Sequence, residues 1–319
     1  MIIKLRKEPV AIAGYEALLK RLPRNHEKRG KVQDNLTRLQ AGFGGEERVD
    51  RMLKHFDPPY PYVFIRDLTL ADAMECQIDN VLITPGCIVL MEVKNISGRI
   101  RIRSNPSAMQ RVSPDGETKG FRSPIAQMEA AQMKVEKLVQ ARGYEVPVRS
   151  VLVIAYPTQI IEEAPGNAII LAADEVEHFL TRMHIGEPKL TKAGMKELGQ
   201  HLLANHKEFN PFPLAPRFQI PLGDIERGVF CPRCRLQKMT RHKRTWECRT
   251  CMISSTNAHF QALDEWFMIM KSTITTSECR DFLALTNLDA AKRVLKRETL
   301  KEAGSRRYRR YYRSSAEMK

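Results

Sequence analysis

The amino-acid sequence predicts a mixed α/β protein that ends in a small cysteine-containing module and a basic helical region. Three observations lead to this prediction. Segments with helical and strand-like apolar spacing follow one another in the order helix, three strands, helix, strand, which is typical of a mixed sheet with helices packed on it. Beyond them, four cysteines form two C-x-x-C pairs. The end of the chain combines amphipathic helical spacing with many lysines and arginines.

Length and composition indicate a folded chain of about two domains. The 319 residues are 43% hydrophobic, which is enough to bury a core and argues against wholesale disorder. No apolar run approaches the roughly 18 residues of a membrane-spanning helix. Charges interrupt the apolar stretch at the N-terminus, which makes it a poor signal peptide. We therefore expect a soluble, cytoplasmic protein.

The positive charge of the chain is concentrated in three segments. The formal net charge is +15 at pH 7. Residues 1–40 and 231–251 each carry an excess of +6 and residues 292–313 an excess of +8, so the remainder is net acidic. Concentrated positive charge suits a polyanion such as nucleic acid, because each neutralised phosphate releases counterions. The alternative is a set of solvated basic faces.

Apolar periodicity and turn residues place the elements of the α/β region. Pro85-Gly86 separates two apolar strands, and Ser123-Pro124 opens a long helix. Gly44-Gly45 is expected to interrupt the chain before a helix, and residues 98–102 are expected to continue the sheet of the preceding hairpin. The predicted elements are helices over 46–56, 123–142 and 174–183 and strands over 62–70, 77–84, 87–94, 98–102 and 148–155.

Two acids and a lysine stand out on the predicted hairpin. Glu92 and Lys94 alternate with Val93 and therefore share one face of their strand, and Asp79 on the preceding strand can point to the same face. A carboxylate on an otherwise apolar strand is costly to bury unless it is paired or binds a metal. Two such carboxylates can hold a cation of the Mg²⁺ type, and a neighbouring lysine can stabilise negative charge on phosphorus. The alternative is an exposed Glu92–Lys94 ion pair beside a solvated Asp79.

Several sequence blocks place these residues in a family context. The blocks are G-F-G-G-E-E-R-V at 42–49, Q-I-D-N-V-L-I-T at 77–84, I-V-L-M-E-V-K-N-I-S-G-R-I at 88–100, S-P-I-A-Q at 123–127 and A-I-I-L-A-A-D-E-V at 168–176. With them, residues 42–180 resemble the nuclease-related domain called NERD, a branch of the restriction-endonuclease-like PD-(D/E)XK superfamily. The E-V-K-N-x-x-G block with an upstream Q-I-D is the most specific part of this resemblance.

The resemblance implies a restriction-endonuclease-like mixed sheet flanked by helices and a metal-dependent nuclease activity. By the same resemblance, Glu46, Asp79, Glu92 and Lys94 inherit metal-binding and catalytic roles, with Asp79 and Glu92 binding Mg²⁺ or Mn²⁺. Gln127 inherits a supporting catalytic role; its alternative is a polar residue on a solvent-facing helix start. Two features depart from the family pattern and leave substrate handling open: Ser123 stands where the family has Asn, and the tryptophan often seen soon after the E-V-K-N-x-x-G block is missing, since the first tryptophan of the chain is Trp246.

The two C-x-x-C pairs predict a structural zinc site. Thirteen residues separate the pairs, and tetrahedral Zn²⁺ takes four soft ligands. In a chain without a secretory signal such spacing indicates zinc rather than disulfides. The predicted ligands, which would hold a short hairpin between them, are Cys231, Cys234, Cys248 and Cys251.

The C-terminal region resembles a winged helix-turn-helix of bacterial regulators. A helix, a short helix with Ser277 as its expected cap, a basic helix from Leu288 and a basic hairpin follow one another. The second helix of such a motif enters the major groove of DNA. The alternative is an amphipathic helical hairpin with a solvated basic tail. The expected DNA-binding residues are Asn287, Lys292, Arg293, Lys296, Arg306, Arg307, Arg309 and Arg310.

Together these features predict a Mg²⁺-dependent nuclease that a zinc ribbon and a winged helix deliver to DNA. The alternatives are a non-catalytic DNA-binding protein that keeps the nuclease-like domain as a scaffold, and an RNA-processing factor. Restriction-like folds often pair to cut both strands, which makes a homodimer possible, but the sequence does not determine the oligomeric state. The predicted parts are a basic helical N-terminal segment (1–40), a nuclease-like domain (41–185), a helix and proline-rich linker (186–228), a zinc ribbon (229–256) and a winged helix-turn-helix region (257–319).

Overall fold

A computed structural model describes residues 1–70, 76–113, 115–305 and 308–313 of the chain. Its contacts define two compact units: residues 1–8 with 40–209, and residues 9–39 with 210–319. The predicted fold class, mixed α/β with sheets flanked by helices and a C-terminal cysteine cluster, is confirmed. Within the described residues no helix has the length and apolar character needed to cross a bilayer.

Among its described residues, the first unit contains ten strands and four helices, together with one helix that it shares with the second unit. The strands are β1 (Ile2–Lys4), β2 (Val63–Leu70), β3 (Cys76–Ile83), β4 (Ile88–Lys94), β5 (Gly98–Ser104), β6 (Ser107–Val112), β7 (Thr118–Phe121), β8 (Val148–Ile154), β9 (Gln159–Glu163) and β10 (Ile170–Ala172). The helices are α2 (Arg29–Met52), a 3₁₀ turn (Leu53–His55), α3 (Pro124–Gln140), α4 (Val176–Arg182) and α5 (Lys192–Ala204). The boundary between the units falls inside α2, after Leu39.

A six-stranded mixed sheet in the order β1-β2-β3-β4-β8-β10 forms the centre of the first unit. The strands β2, β3 and β4 are antiparallel, whereas β1, β8 and β10 pair in parallel with their neighbours. Because side chains alternate along a strand, Ile65 and Leu90 face α3 and α5, and Phe64 and Met91 face α2 and α4. Both faces are therefore covered, which explains the nearly continuous apolar runs of these strands.

The prediction that residues 98–102 continue this sheet is wrong. Both edges of β4 are already paired, with β3 and β8, so the chain that follows Lys94 cannot add to it. Instead β5 lies in a second sheet of order β7-β6-β5-β9. Gly98 has φ +105°, and a Cβ there would lie 2.4 Å from the carbonyl oxygen of Val112, so glycine allows this change of direction. The inner side chains Ile100 and Ile102 pack under the second sheet.

The expected interruption at Gly44-Gly45 is also wrong, because α2 runs through both residues without a break. A glycine inside a helix costs about 1 kcal/mol relative to alanine, but packing of the helix can outweigh that cost. At Gly45 an added Cβ would lie 2.8 Å from Cβ of Asn95 and 3.2 Å from Cβ of Ala155, at the ends of β4 and β8. At Gly44 it would meet nothing within 4 Å. Gly45 therefore lets α2 approach the sheet closely.

We expect Gly45→Ala to lower the free energy of unfolding by about 1–3 kcal/mol, because the new methyl group overpacks the contact with Asn95. Gly44→Ala is the matched control on the same helix and should raise stability by up to about 1 kcal/mol. Thermal or urea unfolding of the two variants measures both changes. Equal effects of the two substitutions would contradict the close approach at Gly45.

The second unit is built from α1 (Val10–Arg21), the N-terminal part of α2 and the C-terminal third of the chain. Its core includes a buried ion pair between α1 and α7: Nε of Arg21 donates to Oε2 of Glu265 at 2.7 Å, and Lys20 also contacts Glu265. The residues 1–40 are thus divided: β1 belongs to the first unit and α1 to the second. The remaining elements are α6 (Leu214–Arg217), a 3₁₀ turn (Leu222–Asp224), β11 (Thr240–His242), β12 (Thr245–Cys248), β13 (Ile253–Ser255), α7 (Ala258–Ile269), β14 (Thr273–Ile274), α8 (Thr276–Phe282), α9 (Leu288–Leu295), β15 (Lys301–Ala303) and β16 (Arg310–Tyr312).

The C-terminal elements follow the order helix, strand, helix, helix, hairpin, and β14, β16 and β15 form a three-stranded sheet. The cap of α8 is Thr275, not Ser277 as predicted. The Thr275 hydroxyl accepts from N of Glu278 at 3.2 Å, and the Glu278 carboxylate accepts from N of Thr275 at 2.8 Å. This reciprocal capping box starts the helix two residues earlier than expected.

Candidate functional site

The β3–β4 hairpin brings Asp79 and Glu92 to the same level of the sheet. The register pairs Asn80 with Met91, so the next positions along the two strands, Asp79 and Glu92, lie opposite each other. The backbone pairing of β3 with β4 ends at Asn80. At the next position the Asp79 side chain takes over, because its Oδ2 accepts from the backbone N–H of Val93 at 2.7 Å. Asp79 is buried, with 5% of its surface exposed, whereas the Glu92 side chain is half-buried. The pair thus reaches from the protein interior to an accessible edge.

Lys94 connects the strand to the start of α3. Its Nζ donates to Oε1 of Glu92 at 2.6 Å and to Oε1 of Gln127 at 3.2 Å. Ser123 caps α3, which fixes the first turn of the helix and so places Gln127 beside the strand end. Gln127 thus contacts Lys94, whereas the alternative interpretation made it a polar residue that faces only solvent.

Glu46 approaches from α2 and is paired with an arginine that sequence reasoning missed. Nη1 of Arg6 donates to Oε2 of Glu46 at 2.5 Å, and its Nε donates to Oδ2 of Asp50 at 3.0 Å. Its Nη2 reaches the backbone oxygen of Asp79 at 2.7 Å, so one guanidinium ties α2 to β3. The Arg6 side chain is only 3% exposed. Asp50 was missed too, although its spacing of four residues from Glu46 places both acids on one helix face.

The three acids influence one another electrostatically. Burial raises the pKa of Glu46 to about 7 despite the opposing charge of Arg6, and the charge of Glu92 adds to the rise. Burial and the charges of Glu92 and Glu46 hold the pKa of Asp79 well above its ordinary value, against the hydrogen bond from Val93. A site where burial and neighbouring acids raise the pKa of two carboxyls, Glu46 and Asp79, is one that a cation would stabilise.

The donor set fits a hard divalent cation held by few protein ligands. Carboxylate oxygens are the ligands that Mg²⁺ prefers, and Mg²⁺ usually takes one or two of them together with water and substrate phosphates. Within the described parts of the chain the acids do not form a group of three or more ligating atoms within 4.8 Å of one another. Asp79 and Glu92, adjacent across the hairpin, are thus the two residues suited to bind it.

We expect Arg6→Gln to lower the free energy of unfolding by about 3–5 kcal/mol, because it leaves the largely buried Glu46 carboxylate without its cation, whereas Asp50 keeps its pair with Arg66 at 3.3 Å. Loss of Arg6 should raise the pKa of Glu46 further. A carboxyl whose pKa is higher in the folded state loses stability as pH rises above its unfolded value, so the loss should be larger at pH 8 than at pH 6. Unfolding in EDTA at both pH values, with exposed Lys7→Gln as control, measures this; a pH-independent loss would contradict it.

The four predicted zinc ligands lie together in the second unit. Sγ atoms of Cys231, Cys234, Cys248 and Cys251 all lie within 4.8 Å of one another, and those of Cys234 and Cys248 are 3.9 Å apart. Four thiolates around Zn²⁺ at about 2.3 Å have sulfur–sulfur distances of about 3.8 Å, so the cluster fits zinc. Backbone N–H groups of Gln237 and Leu236 lower the pKa of Cys234 to about 6, which favours the thiolate that binds metal.

The expected DNA-binding residues have different surroundings. Arg293 on α9 and Lys296, the residue that follows α9, are exposed. The other described ones have partners within the protein: Asn287 accepts from N of Ala290 at 2.9 Å and caps α9, Lys292 pairs with Asp289 at 3.3 Å, Arg309 pairs with Glu302 at 3.2 Å, and Arg310 donates to Thr273 at 3.4 Å. Arg306 and Arg307 lie outside the described residues.

Comparison with protein families agrees with the site geometry. A family model described as nuclease-related domain, NERD, matches residues 41–155. The match covers about a third of the chain and includes α2 from Ala41 onward, the β3–β4 hairpin, the start of α3 and β8. Residues 41–155 are thus similar to a nuclease-related domain. Searches of curated proteins and of solved structures found no match.

Proposed function

We propose that the protein is a metal-dependent nuclease that hydrolyses DNA phosphodiester bonds. The observation that carries this proposal is the convergence of Asp79, Glu92 and Lys94 where the pairing of β3 with β4 ends, inside the nuclease-related domain. Two acids that can hold a metal and a lysine beside them suit metal-assisted hydrolysis at phosphorus. Bound Mg²⁺ or Mn²⁺ would supply a Lewis acid and lower the pKa of a coordinated water.

In this mechanism Asp79 and Glu92 hold the cation, and Lys94 acts on the substrate. An ammonium group has three N–H donors, and the bonds to Glu92 and Gln127 use two of them. The third is free to donate to a phosphate oxygen or to the attacking water. Lys94 would thereby stabilise the negative charge that develops as water attacks phosphorus and the phosphorus–oxygen bond to the leaving sugar breaks. Glu46 assists through water, and Gln127 positions Lys94.

We further propose that the second unit delivers the nuclease to DNA. The ribbon β11–β13 with its cysteines would be a zinc ribbon, and the segment from α7 to β16 a winged helix-turn-helix with α9 as recognition helix. The order and pairing of the C-terminal elements and the exposed basic side chains of α9 support this part of the proposal. RNA is the competing ligand, and pairing of two chains would allow such a nuclease to cut both strands.

A non-catalytic DNA-binding protein is the second candidate. It is favoured by the ion pairs at the site: Glu46 is neutralised by Arg6 and Glu92 by Lys94, so an arriving cation competes with two internal cations. In that case the nuclease-related domain would be a scaffold.

An assay on supercoiled plasmid, linear duplex, single-stranded DNA and RNA separates these functions. Each substrate is incubated with the protein in Mg²⁺, Mn²⁺ or EDTA. A nuclease gives cleavage that requires the metal and is lost in Glu92→Ala. Salt-sensitive binding without cleavage of any substrate, unchanged in Glu92→Ala, would favour the scaffold.

A further inference from the structure

The second unit carries six cations on the ribbon, on α9 and directly after α9 that form a candidate surface, called here the ribbon–helix face. Its members are Arg241, Lys243, Arg244, Arg293, Lys296 and Arg297. A two-residue turn, Lys243-Arg244, joins β11 to β12. The last four apolar positions of α9 are buried in the unit, so its basic side chains face outward.

Arg241 is fixed by the ribbon, and the ribbon is fixed to α7. The Arg241 guanidinium stacks over the Trp246 ring at 5.4 Å, and its Nε donates to the carbonyl oxygen of Lys243 at 3.2 Å. The buried Trp246 in turn donates from Nε1 to Nδ1 of His259 on α7 at 3.2 Å. A preorganised guanidinium loses little entropy when it binds an anion.

The chain directly after α9 also contacts the start of α7. Nη2 of Arg297 donates to Oδ1 of Asn257 at 3.4 Å, and Asn257 precedes α7 by one residue. Arg241 and Arg297 are thus both anchored at the start of α7. Arg297 also acts on Arg241 electrostatically, since burial and the charges of Arg293 and Arg297 lower the pKa of Arg241.

This positive charge is not compensated inside the protein. Elsewhere in the unit cations have acid partners, as in Arg21–Glu265, Lys238–Glu226 and Arg313–Asp264. In the part of the chain that the structure describes, Arg241, Arg293 and Lys296 pair with no carboxylate, and Nη1 of Arg241 is buried without a hydrogen-bond partner. Adjacent like charges without counterions create a positive potential that attracts anions.

We propose that the ribbon–helix face is one binding surface for the backbone phosphates of duplex DNA, with Arg241 and Arg297 gripping the same stretch of backbone. This inference rests on the proposed DNA binding and adds that the ribbon and α9 bind together rather than as separate modules. Guanidinium groups match phosphate oxygens in bidentate geometry, and phosphate contacts fix orientation without reading bases. Binding through this face should therefore depend strongly on salt and little on sequence.

Fluorescence anisotropy with a labelled duplex of arbitrary sequence, at several salt concentrations, tests the proposal. Arg241→Gln and Arg297→Gln should each weaken binding about tenfold and each lower the salt slope by about one. The double variant should lose clearly less than the product of the two single losses, because both residues hold the same backbone. Lys238→Gln, which removes a ribbon cation that has an acid partner, should bind as the unsubstituted protein does. Arg241→Lys, which keeps the charge, should recover part of the loss.

Three results would overturn the inference, and they differ from one another. If Arg241→Gln, with unchanged zinc content and thermal midpoint, binds as tightly as the unsubstituted protein, the ribbon does not belong to the surface. If the two losses multiply, Arg241 and Arg297 contact the DNA independently of each other and do not grip the same stretch of backbone. If single-stranded DNA or RNA displaces the duplex more effectively than duplex DNA does, the ligand is not duplex backbone. By contrast, if the unsubstituted protein bound no nucleic acid, the proposed DNA binding itself would be wrong.

Discussion

Lys94→Ala is expected to lower the rate of DNA cleavage by about 10²–10³-fold. Lys94 is the cation that lies against both Glu92 and Gln127, at 2.6 and 3.2 Å, and we assign it the negative charge that develops at phosphorus. Removing one preorganised donor of this kind typically costs about 10²–10³ in rate. The change leaves Glu92 without its ion pair as well, so metal binding should persist while chemistry fails.

Single-turnover cleavage of a labelled duplex measures this loss, and two further variants are compared with Lys94→Ala in the same assay. Lys137→Ala removes an exposed lysine from α3, the helix that carries Gln127, and should leave the rate unchanged. Gln127→Ala should give an intermediate loss, because it removes a contact to Lys94 and not the charge. A Lys94→Ala protein that keeps a tenth or more of the rate would contradict the role assigned to Lys94.

Cys248→Ser is expected to abolish zinc binding and to unfold the ribbon. Cys248 is a buried member of the four-sulfur cluster and lies at the end of β12, so its thiolate would link the metal to the small sheet. A three-stranded sheet of three- and four-residue strands buries too little apolar surface to be stable alone. Structural zinc supplies about 10–16 kcal/mol of apparent binding energy in comparable modules, and that energy stabilises the fold.

Metal analysis and tryptophan fluorescence report this outcome. The unsubstituted protein should hold one zinc per chain, and Cys248→Ser should hold none. Trp246, only 2% exposed in the ribbon, should become accessible to a quencher in the variant. The control Cys76→Ser alters a cysteine of β3 in the first unit and should leave the zinc content unchanged. A full complement of zinc in Cys248→Ser would show that the metal is held elsewhere.

The hairpin that carries Asp79 and Glu92 could be predicted because its signals are local. Alternation of side chains and the Pro85-Gly86 turn define two antiparallel strands, and the register then sets the two acids opposite each other. The same reasoning applies to the two C-x-x-C pairs, whose spacing requires no knowledge of the rest of the fold.

The parts that could not be predicted depend on contacts between distant segments. Arg6 contacts Glu46 and Asp79 across 40 and 73 positions of sequence, and β1, which brings it there, is only three residues long. At Gly45, local propensity favours an interruption, whereas packing against Asn95 favours a continuous helix. By contrast, Thr275 was predictable, since the T-x-x-E spacing to Glu278 is the signature of a capping box.

Anomalous diffraction from crystals of the protein grown with Mn²⁺ and a non-cleavable duplex tests the central claim most directly. The account predicts a metal peak about 2.0–2.5 Å from carboxylate oxygens of both Asp79 and Glu92, with Nζ of Lys94 facing a backbone phosphate. A structure with DNA bound at saturating Mn²⁺ but no metal beside Asp79 and Glu92 would contradict the proposed nuclease mechanism.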